Sequence, residues 1–339
     1  MKNQMSRCSI NQSIAVKVTR PVISSTITTP IILLLLVWLC TANVVTAQTS
    51  RASTAASYLE RANNWLAKGE VDKAIADYDL AIATDPNAAG SYYNRGIARV
   101  RKGEFDAALN DFNRALQLDP RLPEAWVDRA GIHYLRGDLD SVISDSTRAI
   151  ALNPRLAEAW NNRGLARTDK GDIAAAIADF DQAIRLNPKL VRAYDNRGVA
   201  RYQNRDYAGA LSDFAQALKL DPRFAEAIND RGAVRQALGE AEAALADFNQ
   251  AIALKPHAQA YFNRGTAWQA KGELPRALAD FNRAIELNPS DPHAYAQRGL
   301  TLLRLGRESE AQRDFEQCLT LKQNLKASLE RAIQEVRRR

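Results

Sequence analysis

Histidine and cysteine are scarce in this chain of 339 residues, which holds three of each. Cys8 and Cys40 lie in the first 47 residues. Cys318 is then alone, so a chain trimmed of that segment has no intrachain disulfide. His133, His257 and His293 are scattered, and no pair has the spacing of a metal site. There is no phosphate-cradling glycine loop, no HExxH, no CxxC and no nucleophile elbow. These absences point away from an enzyme and from a bound cofactor or metal. A strong excess of one charge is also lacking. Lys2, Arg7, Lys17 and Arg20 account for four of the 46 basic residues, so beyond residue 47 the balance is 42 basic to 39 acidic. That is no footing for nucleic acid.

Long apolar runs are likewise rare. The one unbroken run is Ile31 to Leu39, preceded by the four basic residues and followed by TANVVTA, which ends at Ala47. A basic region, an apolar core and small residues describe a secretory signal peptide, with cleavage after Ala47. The same segment, 31–47, is about long enough to serve as an uncleaved membrane anchor. Either reading exports the remainder of the chain, to the periplasm or outside the cell, and limits membrane contact to the N-terminal segment. Residues 48–54 are a polar linker.

What the chain does have is a period. Pro86, Pro120, Pro154, Pro188, Pro222 and Pro256 are each 34 residues apart, and Pro289 follows after 33. The missing residue falls in the link after Pro256, where it shortens a loop and leaves the helices intact. Counting each unit from Ala55, position 8 is glycine or alanine and position 20 is alanine in every copy but one, Val142. Position 24 is aromatic except at Ser146, and position 27 is alanine until Cys318. Two amphipathic segments of about fourteen residues, helix A and helix B, fill each unit. Small residues at 8 and 20 let the helices approach, and the aromatic at 24 fills the space beside them. Glycine at position 15 suits the left-handed turn that ends helix A. In the fifth copy Arg205 stands there instead. A pair of helices this short buries no core alone and must stack on its neighbours.

The large residue at 4, small residue at 8, alanines at 20 and 27, aromatic at 24 and proline at 32 resemble the tetratricopeptide repeat. The resemblance covers 55–323 in eight copies: 55–88, 89–122, 123–156, 157–190, 191–224, 225–257, 258–291 and 292–323. It implies an all-α, right-handed solenoid of helix-turn-helix repeats. Residues 324–339 then form a capping helix with a basic tail, its stripe of Leu325, Leu329, Ala332, Ile333 and Val336 covering the last apolar face. Position 11, usually aromatic in that family, is arginine at Arg99, Arg167, Arg201 and Arg235.

Position 7 is arginine and position 23 aspartate in all eight copies. Such matched repetition predicts a ladder of ion pairs that locks repeats together, and it argues against catalysis by any one aspartate. Positions 2, 5, 9 and 12 fall on the remaining side of helix A, with 6 at its edge. In the resembling family this side lines a concave groove that holds peptides. Position 6 carries Asn94, Asp128, Asn162, Asn196, Asp230 and Asn263, a mixed version of the asparagine ladder in the repeat domain of O-linked N-acetylglucosamine transferases. An amide both donates and accepts, so it can pair with the backbone of a peptide of any sequence. Tyr93, Asn161, Asp195, Tyr202 and Phe262, the last expected as an exposed aromatic, complete the candidate peptide-binding set. The expected function is a non-enzymatic protein- or peptide-binding scaffold. The alternative is a self-associating component of a membrane-linked assembly, acting through the convex face and end caps.

Overall fold

The computed structural model describes residues 53–338. The expected leader and most of the linker lie outside the described residues. Every regular element described is helical. They are α1 (53–67), α2 (Val71–Thr84), α3 (Ala89–Lys102), α4 (Phe105–Leu118), α5 (Pro123–Leu135), α6 (Leu139–Leu152), α7 (Ala157–Lys170), α8 (Ile173–Leu186) and α9 (Val191–Gln203). There follow α10 (Tyr207–Leu220), α11 (Ala225–Ala237), α12 (Ala241–Leu254), α13 (Ala258–Ala270), α14 (Leu274–Leu287), α15 (Pro292–Arg304), α16 (Glu308–Leu321), a 3₁₀ turn and α17 (Lys326–Arg338). Consecutive helices pair, giving an all-α solenoid. The chain divides into two compact units, one through Ala166 and one from Arg167 onward.

The turn chemistry follows the period. Gly69, Gly103, Gly137, Gly171, Gly239, Gly272 and Gly306 all have φ between 74° and 86°. Arg205 is forced into the same left-handed region at φ 60°. Helix B closes on a second recurring turn. The side chains of Asp85, Asp119, Asn153, Asn187, Asp221 and Asn288 each accept the backbone N–H two residues on. In the sixth repeat Lys255 takes that place and pairs with Glu226 at 2.7 Å. Its link is the short one, and α12 and α13 remain regular on either side.

In the first unit one core cluster spans α1 to α5. Tyr78 and Phe112 are fully buried among Ala62, Ala74, Ala108 and Ala115. In the second unit Phe180, Phe214, Phe248, Phe281 and Phe315 are each at most 5% exposed. Burying one such ring contributes about 1.5–3 kcal/mol. The ring lies so close to helix A that a Cβ on Gly96, Gly198, Gly232, Gly265 or Gly299 would come within 2.8 Å of it. In the third repeat Ser146 replaces the ring, and Ala130 and Val142, both fully buried, occupy the space instead. α17 ends the second unit with Leu329 buried, and Leu325, Ala332, Ile333 and Val336 packed on Leu300, Leu302 and Phe315.

Candidate functional site: the helix A faces

Two sets of polar side chains divide helix A between them. The first is structural. In every repeat lying within one unit, the position-7 arginine holds its own position-23 aspartate through Nε and Nη2. Arg95 reaches Asp111 at 3.0 and 2.6 Å, and Arg264 reaches Asp280 at 2.8 and 2.7 Å. The third nitrogen, Nη1, reaches back to position 25 of the preceding repeat: Arg95 to Asp79 at 2.6 Å, Arg129 to Asn113 at 2.8 Å and Arg163 to Thr147 at 3.3 Å. In the second unit Arg197 reaches Asp181 at 2.5 Å, Arg264 reaches Asn249 at 2.7 Å and Arg298 reaches Asn282 at 2.9 Å. The lock between repeats is therefore the position-25 bond, while the aspartate bond joins the two helices of one repeat. Position 25 is Asp, Asn or Thr in these repeats and Ala215 in the fifth, so it does not stand out in the sequence.

Except in the sixth repeat, where position 4 is Ile228, the guanidinium also lies over the ring at position 4, as Arg129 does over Trp126 at 4.6 Å and Arg197 over Tyr194 at 5.7 Å. Burial disfavours the charge on Arg197, but its bonds to Asp213 and Asp181 outweigh that and hold the guanidinium above its ordinary range. The arginines at position 11 share the same aspartate: Arg99 on Asp111, Arg167 on Asp179, Arg201 on Asp213 and Arg235 on Asp247, at 2.7 to 2.8 Å. That explains the departure from an aromatic there. His133, in the same place, lies 3.9 Å from Asp145. Burial holds its imidazole below the usual range.

A further row runs along the turn edge. Lys102 meets Asp72 at 2.9 Å, Arg136 meets Asp106, and Lys271 meets Glu242 at 2.7 Å.

The second set lies on the other side of helix A. In the first unit Tyr93 is nearly buried, and its hydroxyl donates to Asp128 Oδ2 at 2.9 Å. Asn94 is half-buried and donates to Asn63 at 3.2 Å. Asn161 and Asn162 are buried, with Asn162 Nδ2 3.5 Å from the Val127 carbonyl. Burial pushes the Asp128 carboxyl up to about 7, with Glu124 and Glu158 adding to the effect and Tyr93 opposing it.

In the second unit Asp195 and Asn196 are buried, and Asp230 is half-buried, accepting from Asn229 at 3.0 Å. Tyr202 is half-buried against Tyr207, ring centroids 5.8 Å apart. Phe262 is also half-buried, not exposed, because its ring packs 5.9 Å from Phe281. Asn263 donates to Asn229 at 3.1 Å and accepts from the exposed Gln259 at 2.9 Å. Gln236 donates to Thr266 at 3.3 Å, and Gln269 to Thr301 at 3.0 Å. Thus positions 5 and 6 of adjacent repeats are tied to one another, and part of the amide capacity is used between repeats. Asn229, Gln259, Thr266 and Gln269 were not singled out by sequence. Their signal is a run of amides and hydroxyls at positions 2, 5, 9 and 12 of repeats six and seven.

Among the described residues no group of three or more His, Cys, Asp or Glu could hold a metal ion, and no helix is long and apolar enough to cross a membrane. Models of the tetratricopeptide repeat match residues 65–125, 157–190, 191–224, 258–291 and 281–313, more than half the chain in total. Among curated proteins no significant relative is found. Among solved structures, the chain is similar to a tetratricopeptide repeat protein from Parabacteroides merdae, with TM-score 0.62 and 22% identity over 74% of this chain and 99% of that one. It is similar to the Cut9–Hcn1 hetero-tetramer of APC/C, with TM-score 0.63 and 18% identity over 81% of this chain and 55% of that one. PilW, described as a type IV pilus biogenesis factor, matches with TM-score 0.53 and 20% identity over 59% of this chain and 94% of that one.

Proposed function

This chain belongs to the tetratricopeptide repeat family, and we propose that it is a non-enzymatic scaffold that binds an extended protein or peptide segment on its helix A faces. The family and the fold support a role in protein interaction. The observation that carries the finer reading is the chain of polar groups in the second unit, Gln259, Asn263, Asn229 and Asp230, crossing from α13 to α11 and from an exposed amide to a half-buried carboxylate. Amides at the surface keep donors and acceptors for a main chain while their geometry is fixed by bonds to the next repeat. The paired aspartates have no part in this, because each is saturated by arginine. The hetero-tetramer and the pilus biogenesis factor among the similar structures are consistent with work in an assembly. We further propose that residues 1–47 export the repeats, whether cleaved or retained as an anchor.

A photo-crosslinking residue placed at Gln259 in intact cells tests the binding face, with the exposed Ala246 on α12 as control. Protein adducts at Gln259 and none at Ala246 are expected. Equal capture at the two sites would sink the reading. Fractionation and N-terminal sequencing of the product test export.

A further inference from the structure

We propose that the burial of Asp128 beneath Tyr93 is a proton-dependent clasp between the second and third repeats, tight when Asp128 carries a proton and loosened when its carboxylate is charged there with no basic group to offset it. This does not depend on what the helix A faces bind. Asp128 is 7% exposed, and its described hydrogen bond comes from the Tyr93 hydroxyl on α3. The groups that face it are the tyrosine from α3, Glu124 one turn earlier on α5, and Glu158 from α7. None is basic. Arg129, the next residue, is turned away and engaged by Asp145 and Asn113.

The buried position-23 carboxylates have one or two arginines on them, as Asp111 and Asp213 do. Asp128 has a neutral donor and two acids instead. Removing a carboxylate from water without a counter-charge favours its neutral form, and neighbouring carboxylates add to that. The tyrosine bond favours the charged form but does not outweigh burial.

The sign is fixed by the direction of the shift. The carboxyl is raised to about 7 in the folded chain, against roughly 4 when unfolded. Between these values the folded state holds a proton that the unfolded state has released. Local stability therefore falls as pH rises through that window and levels off above it. Tyr93 and Asp128 belong to different repeats, so the loss lands on the contact between α3 and α5.

Hydrogen exchange of the α5 amides in the full chain, compared with Asp128→Asn from pH 5 to 9, tests the clasp. The comparison cancels the intrinsic pH dependence of exchange. Exchange of the native chain relative to the variant is expected to rise about tenfold per pH unit up to 7 and then flatten. A ratio constant across the range would overturn the proposal. The Asp128 carboxyl ¹³C resonance gives a reading that needs no variant at that site. A midpoint near 7 is expected, and a midpoint near 4 would overturn it. Tyr93→Phe removes the donor to the charged form and is expected to move that midpoint higher; an unmoved midpoint would remove Tyr93 from the clasp.

Discussion

Arg197 holds Asp213 with two hydrogen bonds, Nε to Oδ2 at 3.0 Å and Nη2 to Oδ1 at 2.6 Å. The aspartate side chain is 3% exposed and the arginine 15%, and Arg201 adds a third bond at 2.7 Å. Asp213→Ala leaves Arg197 with Asp181 alone and takes from Arg201 its shortest bond. Removing one partner of a buried pair costs about 3–5 kcal/mol. Chemical denaturation should show a loss of that size, with ligand capture at Gln259 unchanged where the protein remains folded. Asp77→Ala should cost less, because Arg61 is 54% exposed.

Acid should weaken the first and last repeats. In the first repeat the bond from Arg61 holds the Asp77 carboxyl below its usual range. In the last, Arg307 does the same for Glu310. A depressed folded value contributes stability above the unfolded value of roughly 4, lost as pH falls through the folded one. Melting temperature should decline below about pH 4, and Asp77→Asn should flatten part of that decline.

The period, the glycine turns and the buried rings were legible because each depends on one residue type at one spacing. The ladder was legible in part. Invariant Arg and Asp announce a pair, but the bond that spans repeats falls on position 25, where Asp79, Asn113 and Thr147 all accept a hydrogen bond from the arginine. Hydrogen-bond capacity is shared across residue types, so a sequence pattern of identity does not reveal it. The helix A surface was legible as polar. Which of its groups meet each other was not, because Tyr93 and Asp128 are 35 residues apart and touch only through the stacking of repeats.

The third repeat should respond to substitutions as a group. Ser146 is fully buried, and its hydroxyl finds no hydrogen-bond partner among the described residues. Ala130 and Val142 fill the volume that a ring takes elsewhere. Ser146→Phe alone overpacks the site and should cost about 1–3 kcal/mol. Adding Ala130→Gly and Val142→Ala restores the combination found around Phe112 and should recover that loss. Strictly additive effects in the denaturation of the single and triple variants would contradict the coupling.

Arg205 carries a side chain where φ is 60° and its counterparts are glycine. The left-handed region costs a non-glycine residue about 1–2 kcal/mol, offset in part by the flexibility glycine gains when unfolded. Arg205→Gly should raise stability by about 0.5–1 kcal/mol. The side chain is exposed, so binding should not change.

The gap in the ladder gives the last test. Arg231 holds Asp247 at 3.0 and 2.6 Å, but position 25 of the repeat before it is Ala215, which has no side-chain acceptor. Arg197, one repeat earlier, has Asp181 in that place at 2.5 Å. Ala215→Asp should supply the missing bond between the fifth and sixth repeats. Ala215 is exposed, so the gain is that of a partly solvated ion pair, about 0.5–1 kcal/mol. The coupling should vanish when Arg231 is replaced by Lys, whose single ammonium cannot hold Asp247 with two bonds and reach the introduced carboxylate with a third. A stabilisation that persists in the Arg231→Lys background would instead come from the negative charge alone, and the repeat-spanning bond would lose its role.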